Sequence, residues 1–276
     1  MQLGYNTNGF AFHRLEDAIE IIAELGYRCV ALTLDVHHLD PFNCTPADVH
    51  AVAAQLGRLN LACVIETGAR YILDPRRKHR PTLIDDDPAA RVHFLHRAAE
   101  MAHDLGAPCL SYWSGARPEG FAGSDDKLFD RLARQVEHVE NMCRAHGIRA
   151  ALEPEPGMLV ATMEDYERLC GLLGFRAGLT LDIGHLRCLE AKPAHEYLSR
   201  YADVLYNLQL DDMNPGLHKH LFFGEGSVDF SAVFSTLARL DYQGPACVEL
   251  SDASRNAVET ARLAMAFLKR HLGEQP

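Results

Sequence analysis

One phrase recurs along the chain and limits what it can become. AELGYRCVALTL, HDLGAPCLSYW, RAHGIRAALEP and GLLGFRAGLTLD each close a helical pattern on Gly and pass within a few residues into a short apolar run. Gly26, Gly106, Gly147 and Gly174 fit the left-handed position that ends a helix. QGPACVELS, near the end, has the same character. Eight candidate strands follow: Leu3–Thr7, Cys29–Leu34, Leu61–Glu66, Pro108–Trp113, Ala150–Pro154, Ala177–Ile183, Val204–Asp211 and Ala246–Ser251. Helical patterns lie between them. The clearest is Asp125–His146, where Leu128, Leu132, Val136, Val139 and Met142 share one face. Strict alternation implies a parallel sheet with right-handed crossovers. Eight units in about 250 residues is the arithmetic of a closed (β/α)8 TIM barrel, here a single α/β domain over 1–276. An open doubly wound sheet is the alternative, but no GxGxxG turn follows an early strand.

Strand parity points the same way. Leu179, Leu181 and Ile183 oppose Thr180 and Asp182; Tyr206, Leu208 and Leu210 oppose Asn207, Gln209 and Asp211. Val248 and Leu250 oppose Cys247 and Glu249, and Leu152 opposes Ala151 and Glu153. Each strand thus has one face for packing helices and one small or polar face, which would point into a barrel.

Four inward residues then gather at strand C-terminal ends: Glu153, Asp182, Gln209 and Glu249. Closure brings these tips to one mouth, where barrel active sites lie. Carboxylates converging there repel one another without a cation. Oxygen-rich ligation suits one divalent ion, Mn2+, Mg2+ or Co2+, better than a closed thiolate zinc site; Zn2+ is the remaining option. A lone acid at a strand end is usually a cap or a surface charge, but four in register are harder to dismiss.

Composition excludes other classes. A net charge of −11 argues against a nucleic-acid partner and against an anionic membrane surface. No apolar stretch is long enough to span a membrane, and MQLGYNTNG lacks the pattern of a signal peptide. The eight cysteines are scattered without a CxxC pair, and Cys29, Cys63, Cys109 and Cys247 sit in apolar runs. Buried free thiols in a reducing cytoplasm are the plain expectation. Arg70–Pro88 is the longest irregular segment, open to two readings: a lid whose arginines meet an anionic substrate, or a solvated loop.

The motifs EPE, LDIGH, LQLDD, GEG and VEL resemble the xylose-isomerase-like superfamily of barrels, which includes sugar-phosphate isomerases and epimerases and the endonuclease IV group. The resemblance covers the second half of the chain by motif and the first half by strand order. By analogy with ketose 3-epimerases it places metal ligands at Glu153, Asp182, Gln209 and Glu249, with Gln209 where many members have His. It also implies that Glu153 and Glu249 are the catalytic pair, on opposite sides of the reacting carbon. HKHLFFGEG resembles the endonuclease IV pattern, which makes a second metal at His185, His218 and His220 an option beside substrate contacts or no role. The histidines that the nuclease needs after strands three and four are absent; Glu66 and SYWSG stand there. Remaining substrate-binding candidates are Glu155, Trp113 and Glu66. His37, His38, His93, His96 and His103 fall outside the pattern and read as surface or packing residues.

The expected reaction is metal-dependent isomerisation or epimerisation of an open-chain sugar or hydroxy-keto acid through an enediolate. A dehydratase of the dehydroshikimate type shares that chemistry and is the alternative. A phosphodiesterase ranks below both, and a barrel that binds a sugar without catalysis ranks last. Partners are small carbohydrates or keto acids, and a homo-oligomer is expected only by analogy.

Overall fold

A computed structural model of the chain describes residues 1–273. The barrel runs through β1 (Gln2–Asn6), β2 (Cys29–Thr33), β3 (Ala62–Glu66), β4 (Cys109–Trp113), β5 (Arg149–Glu153), β6 (Leu179–Asp182) and β7 (Leu205–Leu210). A hairpin of β8 (Asp212–Asn214) and β9 (Leu217–Leu221) interrupts the series before the last barrel strand, β10 (Pro245–Val248). All eight barrel pairings are parallel, in the order β1-β10-β7-β6-β5-β4-β3-β2, and β1 pairs with β2 to close the ring. The helices are α1 (Leu15–Glu24), α2 (Pro46–Leu59), α3 (Ala89–Asp104), α4 (Asp125–Ala145), α5 (Met163–Leu173), α6 (Ile183–Leu189), α7 (Ala194–Arg200), α8 (Phe230–Arg239) and α9 (Ala257–His271). Among the described residues, no helix is long and apolar enough to cross a membrane.

The closing glycines behave as the pattern predicts: Gly26, Gly106, Gly147 and Gly174 all have positive φ. Along α4 the predicted stripe Leu128, Leu132, Val136, Val139 and Met142 is buried. Each such side chain contributes about 1.5–3 kcal/mol by leaving water.

Parity holds with one exception. Tyr206, expected on the outer face, packs instead against the inner cluster of Cys29, Ala31, Val64, Cys109 and Cys247. The register between β6 and β7 slips there, with Leu179 opposite Leu205 but Thr180 opposite Asn207. The extra residue turns inward, as a bulge requires, and Gly178 makes room for its ring.

Candidate active site at the barrel mouth

A cavity of about 280 Å³ opens at the C-terminal ends of the strands. Its walls include Glu66, Trp113, Glu153, Glu155, His185, Gln209, His218, His220 and Glu249, nine of the ten residues singled out by sequence. The tenth, Asp182, is buried behind His185 and borders a smaller adjoining pocket.

Asp182 serves two purposes with its two oxygens. Oδ1 accepts from the backbone N–H groups of Gly184 (2.7 Å) and His185 (3.0 Å), capping α6. Oδ2 has no hydrogen-bond partner. Gly184 of LDIGH is demanded by packing, since a Cβ there would lie 2.0 Å from Asp211 Oδ1.

Stretch 208–226 splits into ligand candidates and scaffold. Gln209 points inward on β7, buried, with Oε1 unpartnered. Asp211, missed by sequence although parity had placed it inward, sits 2.6 Å from His220 Nδ1. Asp212 explains the Gly-Glu-Gly: its carboxylate accepts from the N–H groups of Gly224 (2.8 Å), Gly226 (3.0 Å) and Val228 (3.0 Å). A Cβ on Gly226 would meet Asp212 Oδ1 at 2.3 Å. The β8–β9 hairpin, also missed, carries His218 and His220 over the mouth; the Asn214-Pro215-Gly216 turn was its available signal.

On the far side, Glu249 follows β10 and accepts at Oε1 from Asn8 Nδ2 (2.8 Å), leaving Oε2 unpartnered. Glu66 accepts from Asn207 Nδ2 (2.8 Å). Trp113 forms a wall, edge-on to His79 at 5.4 Å and beneath the Arg91 guanidinium at 4.5 Å. Arg70, Lys78 and His79 from the long irregular segment line the cavity, so part of that segment is a wall. Its Arg77 and Arg80 pair instead with Asp74 and Asp85.

The electrostatics are those of crowded acids. Burial, then the Glu249 charge, pushes Glu66 and Glu155 up to about 8 and Glu153 well above the carboxylate range. Burial also raises Glu249. Asp182 runs the other way: burial would raise it, but His185 and His220 draw it down. Burial drops His185 to about 4. His220 rises to about 10 because its bond to Asp211 and the charges of Glu249, Asp211 and Asp182 outweigh its burial.

These donors fit a cation. Asp182 Oδ2, Gln209 Oε1 and Glu249 Oε2 are all buried without hydrogen-bond partners, a costly arrangement. Short of a cation, only Asp182 can relieve it, by sharing a proton with the neighbouring Asp211 carboxyl. Glu153, Asp182 and His185 each offer an atom within 4.8 Å of the others, as do His185, His218 and His220, and Asp182, Asp211 and His220. Among the described residues, Glu249 stands outside these groupings and is held by Asn8.

The fold and this mouth define a (β/α)8 barrel with an acid- and histidine-lined cavity at its C-terminal end. The chain belongs to the xylose isomerase-like TIM barrel family, which it matches over residues 19–271. It is 34% identical over 240 residues to L-ribulose-5-phosphate 3-epimerase UlaE of Salmonella paratyphi C, covering 80% of this chain and 82% of that protein. It is 25% identical over 169 residues to inosose dehydratase of Lactiplantibacillus plantarum, covering 54% of this chain and 56% of the dehydratase. A crystal structure of the IOLI protein with a bound zinc atom shares the fold, with a TM-score of 0.79 at 15% identity over 99% of this chain and 98% of that one. The resemblance drawn from the motifs is therefore borne out at the level of the family and its barrel.

Proposed function

We propose that the chain is a divalent-metal-dependent sugar isomerase or epimerase that moves a proton at a carbon next to a carbonyl. The observation that carries this reading is the trio of buried, partnerless oxygens on Asp182, Gln209 and Glu249. The last two line the mouth with Glu153, and the first borders the adjoining pocket across His185. Those four side chains would hold the ion; Mn2+, Mg2+ and Co2+ suit the oxygen set, and Zn2+ would also be accepted. When bound, the ion supplies Lewis-acid polarisation of the substrate carbonyl.

The chain's residues do the rest. Glu153 and Glu249 stand on β5 and just past β10, with β6 and β7 between them on one side and the other four strands on the other. They therefore address a substrate from different walls. One removes the proton and the other returns it, to the same carbon for epimerisation or to its neighbour for isomerisation. His185, Glu155, His218 and His220 present donors and acceptors to substrate hydroxyls, Glu66 lies deeper, and Trp113 gives an apolar face. The similarity to UlaE, a sugar-phosphate epimerase by name, supports the substrate class. The partial match to inosose dehydratase supports a second outcome, in which the same carbanion expels a β-hydroxyl.

The deciding experiment loads the protein with Mn2+ and follows deuterium from D2O into a panel of free and phosphorylated keto sugars. Exchange is expected in wild type and reduced about 10²–10⁴-fold in Glu249→Gln. An absorbing conjugated product would select the dehydratase outcome. Undiminished exchange in Glu249→Gln would remove that residue from the chemistry, and silence across the whole panel would overturn the isomerase reading.

A further inference from the structure

A second grouping of metal-ligating side chains stands outside the barrel, at the opposite end from the mouth. His96 and Glu100 lie one turn apart on α3, and His146 closes α4 three residues before β5 begins, which places it at the floor. One nitrogen from each histidine and one Glu100 oxygen lie within 4.8 Å of one another. His96 Nδ1 is 3.3 Å from Glu100 Oε1, and the two imidazole rings sit 5.6 Å apart at 86°.

We propose that His96, Glu100 and His146 form a tridentate site for Zn2+ that staples α3 to α4. Two imidazoles and one carboxylate are a donor set that Zn2+ takes readily, with water completing four-coordination. Zinc–nitrogen bonds of 2.0–2.1 Å put tetrahedral ligand atoms roughly 3.3 Å apart, so small side-chain rotations close the present spacing. The surroundings prepare the ligands. Arg97 pairs with Glu100 Oε2, leaving Oε1 for the ion. His103 Nδ1, one turn further along α3, lies 2.8 Å from the His146 carbonyl oxygen and pins the end of α4. His96 is exposed and Glu100 and His146 are half-buried, so an ion enters from solvent. The floor of a barrel serves stability while the mouth serves chemistry, so the ion's effect here is on unfolding.

The test needs no substrate. Chelator-stripped wild type, His146→Ala and Glu100→Gln are equilibrated with zinc chloride at low-micromolar free metal, and zinc per chain is counted by elemental analysis. Each variant is expected to hold one zinc fewer than wild type, with apparent affinity at the outer site weakened about tenfold or more. Zinc should raise the melting temperature of wild type more than that of either variant. Zinc taken up at the mouth is common to all three proteins and cancels in the difference, so failure of the isomerase reading leaves this result intact. Equal zinc content in the three proteins overturns the site. So does a difference that emerges only at millimolar zinc, which marks an adventitious ion only.

Discussion

The interior of this barrel has two storeys built by the same strands, and they obey opposite rules. At the floor the inward side chains are Cys29, Ala31, Val64, Cys109 and Cys247, small and apolar. Two residues further along each strand the interior turns polar: Val64 gives way to Glu66, Cys109 to Ser111, and Cys247 to Glu249. The floor is solved as packing, with nothing left over. The mouth keeps buried oxygens without partners and acids whose charges oppose each other. A chain that wanted only a stable barrel would continue the floor upward. The residual polarity is the mark of a site that expects something to bind.

The rim above the mouth offers the sharpest break of this contrast. Arg91, at the start of α3, is buried and spreads its guanidinium over three carbonyls, those of Pro81, Thr67 and His79, each at 3.0 Å. It ties the irregular segment to β3 and to Trp113 at once. Arg91→Ala should cost about 3 kcal/mol, because three buried carbonyls lose their donors together. Arg91→Lys should recover only part, since a point charge cannot reach all three. Chemical denaturation measures both. A loss below about 1 kcal/mol would mean that water replaces the guanidinium and that this rim is as dispensable as an exposed loop.

The floor should respond to volume alone. Gly4 faces inward between two thiols, and a Cβ there would stand 2.3 Å from Cys247 Sγ and 3.0 Å from both Cys29 Cβ and its carbonyl oxygen. Gly4→Ala is expected to destabilise by about 1–3 kcal/mol through overpacking. Adding Cys247→Ala should return part of that, because the closest clash is with the sulfur. Metal content should be unchanged in both variants. If Gly4→Ala alters metal content, the two storeys are coupled and the separation drawn above fails.

How much of this was legible depended on the kind of interaction. The barrel and the inward set Glu153, Asp182, Gln209 and Glu249 follow from strand parity, a local property that sequence carries directly. Tyr206 broke the rule because a register slip between β6 and β7 depends on two strands at once. Asp212 draws no role from the sequence; it is a scaffold gripping the Gly-Glu-Gly backbone, and only the chain path shows that. Arg91 gave no signal, since one arginine in an amphipathic helix usually faces water. His96 reads as a surface or packing residue because it lies off the inward strand-end pattern, and it is exposed; its neighbours Glu100 and His146 come together only when α3 packs on α4.

The smallest expected effect separates the rim from the acids beneath it. His79 adopts a left-handed backbone, with φ 64°, and its Nδ1 lies 2.7 Å from the Gly68 carbonyl oxygen. Burial pulls the ring down to about 4. The unfolded chain, with an ordinary value near 6.5, therefore binds this proton more readily than the folded one. The resulting stability is fully present above about pH 6.5 and is lost as pH falls towards 4. Between pH 7 and pH 5 the loss attributable to His79 should be about 1 kcal/mol, allowing for the ring's partial exposure. Asn tolerates the left-handed backbone, and its amide can donate to Gly68 in the same way, so His79→Asn keeps the fold while removing the titration. Urea unfolding at the two pH values should show a smaller acid-induced loss in the variant than in wild type. Equal losses would move the acid sensitivity from His79 to His185, which burial also pulls down to about 4, and to Asp182. The glutamates cannot supply it, since those held above their ordinary value bind protons more readily when folded and lose no stability as pH falls.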